Sequence, residues 1–205
     1  MRLLPAAAIL FDCDGVLVDS DASVYSAWRR WALAQELDPD EVSDVVHGRR
    51  AADTVAALLP PERRAGAELL INAYEVDDAG AVTAIAGAAE LVAAVPCWAV
   101  VTSGRRELAI ARLRAAGLPV PPVLVTAEDV RHGKPHPEGY LAGARGLGID
   151  PADTIVVEDA AAGIAAARAA GVGAVVGIGR PGLDTDAWTA DLTGLRWTGS
   201  GLTVS

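Results

Sequence analysis

Positive charge is in short supply in this 205-residue chain: 17 Lys and Arg stand against 27 Asp and Glu, a formal net charge of −10. Nucleic acid and anionic membrane surfaces need the opposite balance, so neither is an expected partner. Any anionic ligand must instead be met by a local cluster of positive groups inside an acidic molecule. Cysteine is scarce too. Cys13 and Cys97 lie in or beside apolar segments without metal-type spacing, and read as reduced thiols of a cytoplasmic protein. No apolar run reaches the length that crosses a bilayer. The first one, preceded only by Arg2, meets Asp12 too soon for a secretory leader. Charge of either sign is modest, 21% of residues against 52% hydrophobic, which excludes a disordered chain. Much of that apolar share is alanine, suited to closely packed helices, and the length allows one domain, or one with a small partner.

What is present is organised around Ile9-Leu10-Phe11-Asp12-Cys13-Asp14-Gly15. Ala6 to Phe11 reads as a strand buried on both faces, stopping at two carboxylates two positions apart. Side chains repeat with period two along a strand, so continued extension would aim Asp12 and Asp14 the same way. Like charges that close repel unless something holds them together, and a divalent cation does so. Gly15 then permits a turn that a Cβ would resist. On its own this stretch also fits a polar turn leaving a strand.

Asp21 to Leu37 carries Val24, Trp28, Trp31 and Ala32 at helical spacing, with Ser20 or Asp21 as N-cap. The tryptophans read as core between helices, with a ligand cleft as the alternative. Helical stretches follow at Pro39 to Val46, Ala51 to Leu59 and Pro61 to about Val76, the prolines suiting first-turn positions. The span Leu17 to Ala84 is thus expected to be an all-helical insertion. After it, strand and helix alternate: helix from Gly87 to Ala94, strand Trp98 to Val101, helix Arg105 to Ala116, strand Val123 to Val125, helix Pro137 to Leu147, strand Thr154 to Val157, helix Ala161 to Ala170 and strand Ala174 to Ile178. Strands separated by single helices require parallel, right-handed crossovers, hence a doubly wound parallel sheet with ligands beyond the strands' carboxyl ends. The tail from Pro181 suggests little beyond an edge strand near the end.

Polar residues fall at those strand ends. Thr102-Ser103-Gly104 opens a helix and offers hydroxyls and free amides to an anion. Lys134, stiffened within Gly133-Lys134-Pro135-His136-Pro137, is suited to neutralising a phosphate. Glu158-Asp159 follows the third of these strands. Each alone fits an ordinary cap or loop; their succession at strand ends does not.

The order Asp12-x-Asp14-Gly15, Thr102, Lys134-Pro135-x-Pro137, Glu158-Asp159 resembles the haloacid dehalogenase-like hydrolase superfamily, from about Ala6 to Gly179. The resemblance implies an α/β protein with a Rossmann-like core (residues 1–16 and 85–205) and a small inserted α-helical cap (17–84), as in the β-phosphoglucomutase and phosphatase branch. Within it, His47-Gly48-Arg49-Arg50 and Val101-Thr102-Ser103-Gly104 are similar to small sugar- and polyol-phosphate phosphatases. It implies that Asp12 is the nucleophile forming an aspartyl-phosphate and Asp14 the general acid and base. Thr102 and Lys134 would hold phosphoryl oxygens, Ser103, Gly104, His47 and Arg50 the substrate. Mg2+ would be held by the Asp12 carboxylate, the Asp14 carbonyl and Asp159, with Glu158 direct or through water. Arg50, in a turn between cap helices, would reach the substrate on cap closure.

Val16 departs from the threonine many such phosphatases carry and is also seen among the mutases. The implied activity is hydrolysis of a small phosphorylated metabolite, with a β-phosphoglucomutase-like phosphomutase as the alternative. A phospho-acceptor receiver module is disfavoured by the large insertion, and a true dehalogenase by Asp14, which would be idle there. A monomer or weak homodimer is expected.

Overall fold

The first apolar run forms β2 (Ala8–Phe11), with every residue buried, and a separate strand β1 (Arg2–Pro5) precedes it. A computed structural model describes residues 2–46 and 48–205; His47 therefore lies outside the described residues. Around β2 runs a six-stranded sheet in which all neighbours are parallel. Its other strands are β5 (Trp98–Val101), β6 (Val123–Val125), β7 (Thr154–Glu158), β8 (Ala174–Ile178) and β9 (Ala187–Thr189), in the order β6-β5-β2-β7-β8-β9. Chain order therefore reverses beside β2, where doubly wound sheets bind their ligands.

Period-two alternation explains the layers. Ile9, Phe11, Val100, Ile155 and Val157 face one apolar cluster, and Leu10, Ala99, Val101 and Val156 the opposite one. Helices α5 (Ala88–Ala94) and α6 (Arg106–Ala115) pack on the first face; α7 (Glu138–Leu147) and α8 (Ala161–Ala170) pack on the second. Truncating such a residue, as in Leu10→Ala, removes about 2–5 kcal/mol. Register finishes the placement: Phe11 is level with Val100 and Val157, so the residues after all three strands emerge along one edge.

The insertion contains α1 (Asp21–Ala34), α2 (Pro39–Val46), α3 (Ala51–Leu58) and α4 (Pro61–Asp77). These four close a separate core around Trp28, Trp31, Val42, Val55 and Ile71. Both tryptophans are core, edge to face at 5.2 Å, and Trp31 Nε1 donates to the Ala67 carbonyl at 2.8 Å. The insertion is not wholly helical, however. β3 (Val18–Asp19) pairs antiparallel with β4 (Thr83–Ala84), a two-stranded ribbon through which the chain enters and leaves. Two residues carry no periodicity, and their pairing is made across the whole insertion, so nothing local announces it.

The tail holds more strand than expected. β9 extends the main sheet, while β10 (Leu195–Trp197) and β11 (Gly201–Val204) join β1 in an antiparallel sheet of order β1-β11-β10.

Candidate active site

Asp12 follows β2, and its N–H donates to the Val157 carbonyl at 3.0 Å, tying it to β7 one residue before that strand ends. Its Oδ1 accepts from the Cys13 N–H at 2.8 Å and lies 3.0 Å from Lys134 Nζ. Lys134 also donates to Glu158 Oε1 at 2.6 Å, and the Tyr140 hydroxyl donates to the same oxygen at 2.8 Å. Glu158 Oε2 accepts from the N–H groups of Asp159 and Ala160, both at 2.9 Å. Glu158 is thus fully buried and supplied with four donors. Gly163 makes room for it, since a Cβ there would collide with the Glu158 carboxylate.

Burial drives the Asp12 carboxyl well above its ordinary range; Lys134 opposes this, while Glu158, Asp159 and Asp14 add to it. Burial and Glu158 likewise push Asp159 up to about 7. Burial alone would depress the Lys134 ammonium, but Asp12 and Glu158 outweigh it and hold the group charged. Three carboxylates here face one ammonium. Gly15 adopts a left-handed φ of +74°, and a Cβ at this position would strike the Asp159 carboxylate.

Asp14 turns towards a different set of partners. Its Oδ1 accepts from Ser20 Oγ at 2.7 Å and from Arg112 Nη1 at 2.8 Å. Ser20 stands at the N-cap position of α1 but makes no side-chain cap bond; its hydroxyl serves Asp14. Arg112 was legible in principle, because it interrupts the buried stripe Leu108, Ala109 and Leu113 on α6. Tyr140, buried on α7, looks like an ordinary core aromatic in sequence.

Above these residues is a cavity of about 260 Å3 lined by Asp12, Asp14, Thr102, Ser103, Gly104 and Arg50, among others. Thr102 Oγ1 accepts from the Gly104 N–H at 2.9 Å. Ser103 Oγ donates to the Gly48 carbonyl of the insertion at 3.0 Å, a bond between core and cap. Arg50 forms a fork on Asp53 at 2.7 and 2.8 Å, and its Nη1 also donates to the core carbonyls of Val130 and Arg131 at 3.3 and 3.2 Å. It borders the cavity, but here its guanidinium latches cap to core. Lys134, Glu158 and Asp159 stand beside and behind Asp12 and outside the lining of this cavity.

A family model for haloacid dehalogenase-like hydrolase matches residues 6–171. The chain belongs to the haloacid dehalogenase-like hydrolase family. Hexitol phosphatase A of Escherichia coli (strain K12) is 43% identical over 170 residues, covering 79% of this chain and 78% of the relative. Glycerol-1-phosphate phosphohydrolase 2 of Saccharomyces cerevisiae is 36% identical over 185 residues, covering 82% and 73%. A β-phosphoglucomutase from Clostridium difficile superposes with a TM-score of 0.81 over 94% of each chain at 22% identity, a likeness of fold.

Haloacid dehalogenase-like hydrolases generally use a divalent metal, and the residues here fit one. Asp12, Glu158 and Asp159 each bring a carboxylate oxygen within 4.8 Å of the others. An all-oxygen set suits a hard cation, and two positive charges would offset the carboxylates that Lys134 leaves unbalanced. Glu158 is the weakest of the three as a direct ligand, because both its oxygens already accept from protein donors.

Proposed function

We propose that the protein is a Mg2+-dependent phosphatase that hydrolyses a small sugar or polyol phosphate through a phosphate ester of Asp12. The observation that carries this reading is the placement of Asp12. One carboxylate oxygen is fixed by the Cys13 N–H and Lys134, at the wall of a cavity it shares with Asp14 and Thr102. The names of the hexitol and glycerol phosphatase relatives support it.

In this reading an Asp12 oxygen attacks phosphorus and the bond to the leaving alkoxide breaks. Asp14 protonates that alkoxide, then takes a proton from the water that cleaves the Asp12 ester. Ser20 and Arg112 orient Asp14 for both steps. Lys134 and Thr102 hold phosphoryl oxygens; Lys134 is itself kept charged and in place by Glu158. The Asp12 and Asp159 carboxylates and the Asp14 carbonyl would hold Mg2+, with Glu158 acting through Lys134 and the backbone. Held by those groups, Mg2+ would supply positive charge to offset that of the phosphoryl group and of the buried Asp12 carboxylate. The cap closes over the reaction and excludes bulk water, secured by Arg50 and by the bond from Ser103 to Gly48.

A panel of hexitol, glycerol and hexose phosphates, phosphoglycolate and acetyl phosphate, assayed for phosphate release with Mg2+, tests the proposal. Release from one or more of them, lost on chelation, is the expected result. Conversion of a hexose 1-phosphate to the 6-phosphate with little release would favour the phosphomutase instead.

A further inference from the structure

Arg112 is the buried charge whose partners do not add up. Its side chain is 2% exposed and Nη1 is bound to Asp14, yet Nε and Nη2 find no acceptor among the described residues. A buried donor left unpaired costs about 1–3 kcal/mol, more on a charged group. Across the cavity, α4 presents Glu68, Asn72 and Glu75, a spacing of four and three that sets them on one helix face. Asn72 Nδ2 has no partner among the described residues either. Burial pushes Glu75 up to about 7, Asp14 adding to the rise and Arg112 and Trp28 opposing it.

We propose that Arg112, Asn72 and Glu75 form a hydroxyl-reading subsite that binds adjacent hydroxyls on the leaving-group side of the substrate. This rests on the phosphatase reading and names its substrate class, phosphate monoesters of uncharged vicinal polyols. Position comes first: Arg112 touches Asp14, the group that protonates the leaving oxygen, and both border the cavity. Donor and acceptor chemistry comes second. A hydroxyl accepts from Nε, Nη2 or the Asn72 amide and donates to Glu75, so a vicinal pair satisfies both walls at once.

The nearest competitor is a second anion on the leaving group. It would find Arg112 already paired with Asp14 and would face Glu68 and Glu75, but Arg49 and Arg105 also line the cavity, so phosphoglycolate is the comparison that separates the two. An apolar leaving group would leave all three polar groups unpaired, the situation in which sites discriminate hardest. The volume, about 260 Å3, lies below the roughly 300–1,000 Å3 of drug-sized sites, and Val24, Trp28 and Leu108 offer apolar surface for the carbon chain.

The test compares kcat/KM for a hexitol phosphate, phosphoglycolate and acetyl phosphate in the wild type, Arg112→Lys, Asn72→Leu and Glu75→Gln. Lysine can still pair with Asp14 but cannot fork onto two oxygens; Asn72 and Glu75 belong to the cap and report independently of Asp14. The preference for the hexitol ester over acetyl phosphate should fall about tenfold or more in Arg112→Lys and about threefold or more in the cap variants. The thermal stabilisation given by the free hexitol should shrink in the same variants. Equal losses on the hexitol ester and acetyl phosphate, with stabilisation by free hexitol unchanged, would overturn the subsite. A wild-type preference for phosphoglycolate that vanishes in Arg112→Lys would overturn the hydroxyl assignment in favour of an anion. If the wild type releases phosphate from none of the three, the phosphatase reading fails, and the free-hexitol measurement alone then decides the subsite.

Discussion

On the sheet side of the cavity, Glu158 accepts four hydrogen bonds and Lys134 bridges it to Asp12 at 2.6 and 3.0 Å. On the side facing the cap, two nitrogens of Arg112 and the Asn72 amide have no partner among the described residues. Both walls are polar and withdrawn from solvent, so their difference is one of completeness. A satisfied network fixes its members in one geometry, which phosphoryl transfer needs because it depends on positioning and preset charge. A wall left unsatisfied is completed by what enters it, which is how discrimination between leaving groups arises. In the proposed reading, chemistry belongs to the sheet edge and choice of substrate to the α4 and α6 surfaces.

The sharpest way to break this division is Asp12→Asn. The amide keeps the shape and cannot attack phosphorus, so phosphate release should fall at least about a thousandfold on every substrate, with the thermal melt still cooperative. Next is Arg50→Ala, which removes the latch to the Val130 and Arg131 carbonyls. It should lower kcat/KM for a polyol phosphate about ten- to a thousandfold, some 1.4 to 4 kcal/mol, and weaken acetyl phosphate hydrolysis far less. Equal losses would move Arg50 into the chemistry. Asp159→Ala should raise the Mg2+ concentration for half-maximal activity about tenfold or more; an unchanged requirement would place the cation elsewhere.

The smallest effect concerns Glu75. Its pKa of about 7 lies above that of an unfolded glutamate, so between about pH 4.5 and 7 the native state holds a proton the unfolded chain has lost. Stability contributed by that proton is present at low pH and disappears as pH rises through 7. Asp12 and Asp159 are shifted in the same direction, so the informative quantity is a difference. Relative to the wild type, Glu75→Gln should gain melting temperature between pH 5 and 8, measured without metal. A constant difference would show that Glu75 is not withdrawn from water.

How much of this was legible follows from which contacts are local. Lys134 lies in the loop between β6 and α7, where its Gly-Lys-Pro-His-Pro setting marks it. Asp12, Thr102 and Asp159 stand directly after strands, and strand ends of a βαβ chain can be read from periodicity and turn residues. The α2 and α8 bounds and those of β6 and β8 are seen as expected for the same reason. The β3–β4 ribbon and the pairing of β1 with β11 join segments far apart in the chain, each too short to show a pattern. In the site, the resemblance implies Glu158 beside Asp159 as a metal ligand, direct or through water; two of its four donors, Lys134 and Tyr140, come from elsewhere in the chain and are visible only in the fold. Arg112 left one local trace, a charge on an apolar helix stripe, while the stripe Glu68, Asn72 and Glu75 looks like a solvated helix face until α6 is seen opposite. Arg50 illustrates the converse: its turn pointed to the substrate, and its observed partners are Asp53 and core carbonyls.

The central claim is that Asp12 carries the phosphate. Asp14→Asn should let acetyl phosphate phosphorylate the enzyme, since acetate leaves without a proton, while hydrolysis of the ester stalls for lack of a base. Acid quench of that variant after incubation with labelled acetyl phosphate and Mg2+, followed by peptide mapping, reads the result directly. The account predicts near-stoichiometric label on Asp12 that is lost in the Asp12→Asn, Asp14→Asn double variant. Label on another residue, or a variant that still turns over with Asp12 unlabelled, would contradict it.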